Sequence, residues 1–378
     1  MKRYEFYYQS ADKKTNIHAV RWMPEGKPVG IIQIAHGVTE YILRYEDFAR
    51  YLTDKGFIVT GNDHLGHGKS IADGAKPMYF GPKGSWKWVV EDIKMLKNIT
   101  VERYPDLPYV MLGFSLGSFV VRTYLINHPG DLDAAILMGT GQMPPVAIKI
   151  AKLVANMEAK KAGEDNSTPT IHNLTFGTYN KIFAPNRTEY DWLCSNEEAL
   201  DEYIADPQRG GDFSAGLFRE LLDGMLYSSH EKNVWNMDKS LPILLISGEM
   251  DPVGDCGKGV QATEKVMRKA GVKDIFAQQT QRPGLLDGNL QPLHGDGVLS
   301  ADVDIALPCP DGIPRDGHGL DDTVGVALQN GPVHKRAGVS LVGIAADVFD
   351  LAGARLGKAP FTPCREAAAA AASQAGVK

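Results

Sequence analysis

The chain has 378 residues, 43% of them hydrophobic and 23% charged, with a net charge of −6. This composition describes a globular protein with a sizeable core in one or two domains. The absence of a Lys/Arg run or basic stripe excludes nucleic acid as a partner, and no apolar run is long enough to span a bilayer. The start, Met1-Lys2-Arg3-Tyr4-Glu5-Phe6-Tyr7, lacks the apolar core of a signal peptide. Cys194, Cys256, Cys309 and Cys364 form no C-x-x-C pair, so free thiols and a cytoplasmic setting are expected.

In chain order, residues 3–9 and 16–22 alternate in polarity around Ala11-Asp12-Lys13-Lys14, the pattern of a β-hairpin. Residues 29–35 form a continuous apolar run, as a buried central strand requires, and lead into Ala35-His36-Gly37-Val38. An amphipathic helix is predicted over 45–55, closed by Gly56, and a strand over 57–61 that runs into Asp63-His64-Leu65-Gly66-His67-Gly68-Lys69-Ser70. A helix over 86–101, a strand over 109–112, a helix over 119–126 that stops before Pro129, and a strand over 133–139 follow. This alternation predicts an α/β fold with a mostly parallel central sheet, helices on both faces and a site at the C-terminal ends of the strands.

The alternation lapses over 143–239, where helices are expected at 145–161, 197–204 and 215–227, with a loop at 164–170. Strand character returns at 241–247. A helical block between two sheet strands is a cap or lid above the strand ends, or else an ordinary helical layer. The expected organisation is a first core part over 1–142, a helical cap over 143–239, a second core part over 240–290 and an atypical Ala/Gly-rich tail over 291–378.

The chemistry centres on Gly113-Phe114-Ser115-Leu116-Gly117, between a strand and a helix. Strand, G-x-S-x-G and helix together make a nucleophile elbow, in which Ser115 is held at a strained tip and the Leu116 N–H points where an oxyanion forms. The plainer alternative is a βα turn with a solvent-facing serine. Acyl transfer at a serine needs an orienting acid on a loop after a strand. Asp251, in Gly248-Glu249-Met250-Asp251-Pro252-Val253-Gly254, stands there, although Asp-Pro also simply initiates turns. His64 and His67 near Asp63 raise metal binding, but no cysteine or further carboxylate has suitable spacing, and no metal site is expected. His128 reads as a helix-end residue, and His18 and His172 have no visible context.

His36-Gly37, the stretches 63–70, 113–117 and 248–254, and two segments of the helical block together carry a family resemblance. Those segments are Tyr190-Asp191-Trp192-Leu193 and Tyr203-Ile204-Ala205-Asp206-Pro207. Over residues 1–275 the chain resembles the monoacylglycerol lipase and lysophospholipase-like branch of the α/β-hydrolase serine hydrolases. The resemblance implies the α/β-hydrolase fold with a cap, hydrolysis of a small ester or lipid substrate, and no cofactor. It implies Ser115 as nucleophile, Asp251 as acid, and an oxyanion hole from the backbone amides of Val38 and Leu116, with His36 shaping its loop. Met157, Phe176, Phe183 and Leu217 are the expected lining of an acyl-chain slot. A peptidase or thioesterase with the same triad, and a ligand-binding fold without turnover, are the alternatives.

The pattern breaks after Ile275. All 14 Tyr and all 5 Trp lie before residue 276, and the last 103 residues hold three Lys and one Glu. Such a shift resembles a fused or frame-shifted segment more than a continuation of the domain, the alternative being a divergent extension. The stretch where the family carries its catalytic histidine, 276–287, has none. By order and proximity His294 is the first choice for the base and His318 the second; His334 completes the downstream set, and the absence of any base is the third possibility.

Overall fold

The computed structural model describes residues 1–280. The alternating opening forms β1 (Lys2–Gln9) and β2 (Asn16–Met23), antiparallel with Lys2 opposite Met23 and Gln9 opposite Asn16. Asp12 makes their turn: its carboxylate accepts from the Lys14 and Thr15 amides at 2.7 and 2.8 Å. Then come β3 (Gly30–Ala35), α1 (Glu46–Asp54), β4 (Phe57–Asn62), α2 (Trp86–Arg103), β5 (Tyr109–Phe114), α3 (Leu116–Asn127) and β6 (Ala134–Met138). The helical block holds α4 (Pro145–Ala162), α5 (Pro169–Thr175), α6 (Glu197–Ala205), α7 (Ala215–Ser229) and α8 (Glu231–Val234). β7 (Ile243–Gly248), α9 (Lys258–Lys269) and β8 (Ile275–Thr280) return to the sheet.

The eight strands lie in the order β1-β2-β4-β3-β5-β6-β7-β8, parallel from β4 through β8. Every residue of β3 through β7 is buried, which is why these strands read as continuous apolar runs. Their side chains alternate between two cores. Ile31, Met111, Leu137 and Leu245 belong to one, Ile32, Leu112, Ile136 and Leu244 to the other. β8 and α9 are not anticipated by the sequence pattern, and β8 runs to Thr280, past the break expected after Ile275.

α7 binds the helical block to the core. Its Glu220 is wholly buried at the start of α2 and accepts from the amides of Gly84 and Trp86 at 3.0 Å. These donors have no partner within α2, so the carboxylate satisfies them and complements the helix dipole. Arg219 bridges Glu220 to Glu164. The buried Arg122 of α3 donates to the Gly141 carbonyl at 2.8 Å and the Ser228 carbonyl at 3.2 Å, joining α3, the loop after β6 and the end of α7. Removing one partner of such a buried network strands the others. Glu220→Ala is expected to lower the unfolding free energy by about 3 kcal/mol. Urea denaturation checks this, and a loss below about 0.5 kcal/mol would match an ordinary surface change instead.

Candidate active site

β5 ends at Phe114 and α3 begins at Leu116, so Ser115 alone makes the turn, with φ 49° and ψ −116°. A non-glycine residue there is strained and must be held by its surroundings. The Ser115 amide donates to the Met138 carbonyl at 2.8 Å, and its carbonyl accepts from the amide and hydroxyl of Ser118 at 2.9 and 2.6 Å. The flanking glycines permit the approach. A Cβ on Gly113 would stand 2.5 Å from the Gly117 carbonyl, and one on Gly117 would overlap the Ala35 carbonyl at the end of β3. Among the described residues the half-buried Ser115 side chain has no hydrogen-bond partner.

The loop after β3 lies against this turn, since a Cβ on Gly37 would press on the Phe114 ring at 3.0 Å. The buried Glu40 carboxylate takes the Gly37 amide and the Tyr45 hydroxyl, and burial raises its pKa. Gly37 N–H is therefore occupied. The amides of Val38 and Leu116 donate no hydrogen bond among the described residues. Nothing in the sequence pattern singles out Glu40; its signal is a carboxylate three residues after a glycine whose amide must be turned inward.

Asp251 follows β7 and is 0% exposed. Its carboxylate accepts from the Val253 amide at 2.9 Å and the Ser247 hydroxyl at 3.1 Å. Burial outweighs these bonds and pushes the carboxyl up to about 6. The helical block comes near: burial, with the field of Asp251, pushes the Tyr179 phenol up to about 12.

No histidine among the described residues bonds to Ser115 or Asp251. His36, His64 and His67 form a buried cluster, with ring centroids of His36 and His64 4.1 Å apart. His36 donates to the Gly37 carbonyl at 2.6 Å and accepts the His64 amide at 2.9 Å; His64 donates to the His36 carbonyl at 3.1 Å. These bonds tie the loop after β3 to the loop after β4. Burial holds the imidazoles neutral, pushing His64 down to about 3 and His67 to about 4. Asp63 organises the second loop, accepting from the Ile42 and Lys69 amides at 2.7 and 2.8 Å and bonding His18 at 2.8 Å. His18 also meets Glu5 at 3.0 Å, and His172 meets Asp212 at 2.9 Å, contexts that separation along the chain conceals. His128 caps α3 beside Glu91. His294, His318 and His334 lie outside the described residues. Among the described residues no group of three or more metal-ligating side chains is arranged to hold an ion.

Two of the expected acyl-slot residues do not fit that role. Leu217, on α7, is 0% exposed in the first core, and Met157 is 61% exposed on the outer face of α4. Helical spacing identified an apolar face in each case without saying which side of the helix packs. Phe176 stacks on Trp192 at 5.5 Å and meets Phe213 at 5.1 Å, and Phe183 is half-buried against the second core.

The sheet order, the strand–serine–helix turn and the acidic residue after β7 define an α/β hydrolase. The chain belongs to the hydrolase family described as serine aminopeptidase, S33, whose sequence model matches residues 26–279. It is similar to the monoacylglycerol lipase of Mycolicibacterium smegmatis, 27% identical over 236 residues, which cover 61% of this chain and 73% of the relative. It is also similar to human monoglyceride lipase, 26% identical over 45% of this chain, of whose length it spans about half (52%). A thermostable carboxyl esterase from Bacillus coagulans, solved with glycerol, shares the fold at a TM-score of 0.68 and 29% identity, over 74% of this chain and 90% of that one. By name these three relatives are ester hydrolases, while the family's own description is that of a peptidase. No helix among the described residues is long and apolar enough to cross a membrane.

The histidine cluster has a consequence for pH. The His64 and His67 imidazoles are neutral in the fold down to about pH 3–4 but titrate near 6.5 when unfolded, so the unfolded chain binds more protons between those values. Stability is therefore full above pH 6.5 and is lost as pH falls towards 4. His67→Asn keeps a donor for the Leu65 carbonyl without the titration. It is expected to flatten the pH dependence of the unfolding free energy by about 1.4 kcal/mol per pH unit in that window. Denaturant unfolding at pH 4.5, 5.5 and 6.5 measures it; an unchanged slope would mean His67 is charged in the fold.

Proposed function

We propose that the protein hydrolyses monoacylglycerols and related carboxylic esters through an acyl-enzyme on Ser115. The observation that carries this is the Ser115 turn itself: a serine held at positive φ at a helix N-terminus, its hydroxyl without a partner among the described residues. Ser115 Oγ attacks the ester carbonyl while a histidine takes its proton. The amides of Val38 and Leu116 stabilise the oxyanion, and the proton passes to the leaving alcohol. Water then repeats the sequence on the acyl-enzyme and frees the acid. Asp251 orients the imidazole and stabilises its charged form. His294 is the proposed base, on chain order Ser, Asp, His. No step calls for a cofactor.

The helices of 143–239 are the proposed cap. On α4, Val146, Ile150, Leu153 and Met157 stand exposed at helical spacing, which suits a protein that meets apolar substrate at its outer face. The Cys256 thiol, in no disulfide among the described residues, fits a cytoplasmic setting. A second reading, cleavage of aminoacyl amides, is favoured by the description of the family and uses the same triad.

Release of glycerol from monoacylglycerols, turnover of p-nitrophenyl esters and turnover of an aminoacyl amide separate the two readings. Ester turnover without amide turnover is expected. Ser115→Ala should reduce it to background, and Asp251→Asn should reduce it by about 10³–10⁴-fold with little change in KM. Turnover should fall as pH drops through about 6, where Asp251 takes up its proton. His294→Ala should match Ser115→Ala, while His318→Ala and His334→Ala retain activity. Loss only in His318→Ala would move the base, and amide turnover above ester turnover would replace the ester reading.

A further inference from the structure

The loop that carries the Val38 amide is gripped from two sides. From the core, Glu40 holds the Gly37 amide, and Asp63 takes the Ile42 amide at 2.7 Å. From the cap, the Tyr203 hydroxyl of α6 lies 2.6 Å from the Thr39 hydroxyl, and Asp206, which ends α6, accepts from the Tyr41 hydroxyl at 2.9 Å and Arg44 at 3.3 Å. Between these grips Thr39 is held at φ 54°. Positive φ in a β-branched residue costs on the order of 1–3 kcal/mol and persists only where the surroundings over-determine it. Among the described residues, Tyr203 is the one side-chain hydrogen-bond partner of Thr39.

Tyr203 is itself immobilised. It is 5% exposed, and two guanidinium groups lie over its ring, Arg44 at 5.0 Å and Arg209 at 5.2 Å. Its hydroxyl is thus a fixed point supplied by the helical block to the residue next to Val38. We propose that Tyr203 is a positioning residue for the oxyanion site: its bond to Thr39 holds the strained turn that presents the Val38 amide, so the site is complete only when the cap is seated on this loop. In kinetic terms the inference rests on the ester-hydrolase reading. A donor displaced from the developing oxyanion weakens transition-state stabilisation and leaves ground-state binding nearly intact, so the loss falls on kcat.

The test is Tyr203→Phe, which keeps the ring and removes the hydroxyl, with Thr39→Ala and the double variant. The readouts are ester kinetics and backbone hydrogen exchange of the peptide spanning residues 37–41. Tyr203→Phe should lower kcat about tenfold, a part of the 10²–10³ that loss of a whole oxyanion donor costs, with KM within about twofold. Exchange over 37–41 should quicken several-fold. The double variant should be no slower than the worse single one, because both remove the same bond. Unchanged kcat and unchanged exchange in Tyr203→Phe would overturn the proposal and leave Tyr203 a packing residue; a rise in KM alone would likewise overturn it. If the wild type turned over no ester, the ester reading would fall. Exchange would then decide the latch alone, faster exchange upholding it and unchanged exchange overturning it.

Discussion

The site depends on how closely the first turn of α3 sits on the end of β3. Gly117 meets the Ala35 carbonyl where no side chain could fit, and this closeness turns the chain through Ser115 in a single strained residue. The strain is affordable because the whole of α3 short of Asn127 is buried, and because Met138 and Ser118 hold both sides of the serine's backbone. Everything else in the site is placed relative to that contact. The loop after β3 is pressed against Phe114, and Asp251, the proposed acid, follows the strand two further along the sheet.

Around the turn, buried carboxylates and imidazoles fix the loops. Glu40, Asp63 and Glu220 each accept from backbone amides that no helix or strand would satisfy, and so fix loops. The three clustered imidazoles are neutral and tie two loops together. Asp251 is likewise wholly buried, accepts from the Val253 amide and the Ser247 hydroxyl, and carries a raised pKa. A buried carboxylate at the C-terminal end of a sheet strand is suited to holding an imidazolium, the role proposed for it.

Much of this was legible in the sequence. The central strands are buried on both faces and so read as unbroken apolar runs, and the serine turn announces itself by its two glycines. Asp251 follows from the rule that functional loops cluster at the C-terminal ends of parallel strands. Other features were hidden for physical reasons. α9 buries Gly259, Val260, Thr263 and Met267, a stripe too polar to show as helical periodicity, and β8 has Gln278 and Gln279 where a central strand would be apolar. The partners of His18 and the amides held by Glu40 and Glu220 depend on contacts across folded loops, which no local pattern records. The lining expected of Leu217 and Met157 failed because amphipathicity marks an apolar face without naming what covers it.

The central claim is that Ser115 is a nucleophile activated by this architecture and not merely a turn residue. Intact-mass analysis after incubation with a fluorophosphonate, followed by peptide mapping, tests it most directly, because such probes react with activated serines and not with ordinary ones. A single adduct per chain, on the peptide that carries Ser115, is expected. No adduct, or an adduct confined to another residue, would contradict it.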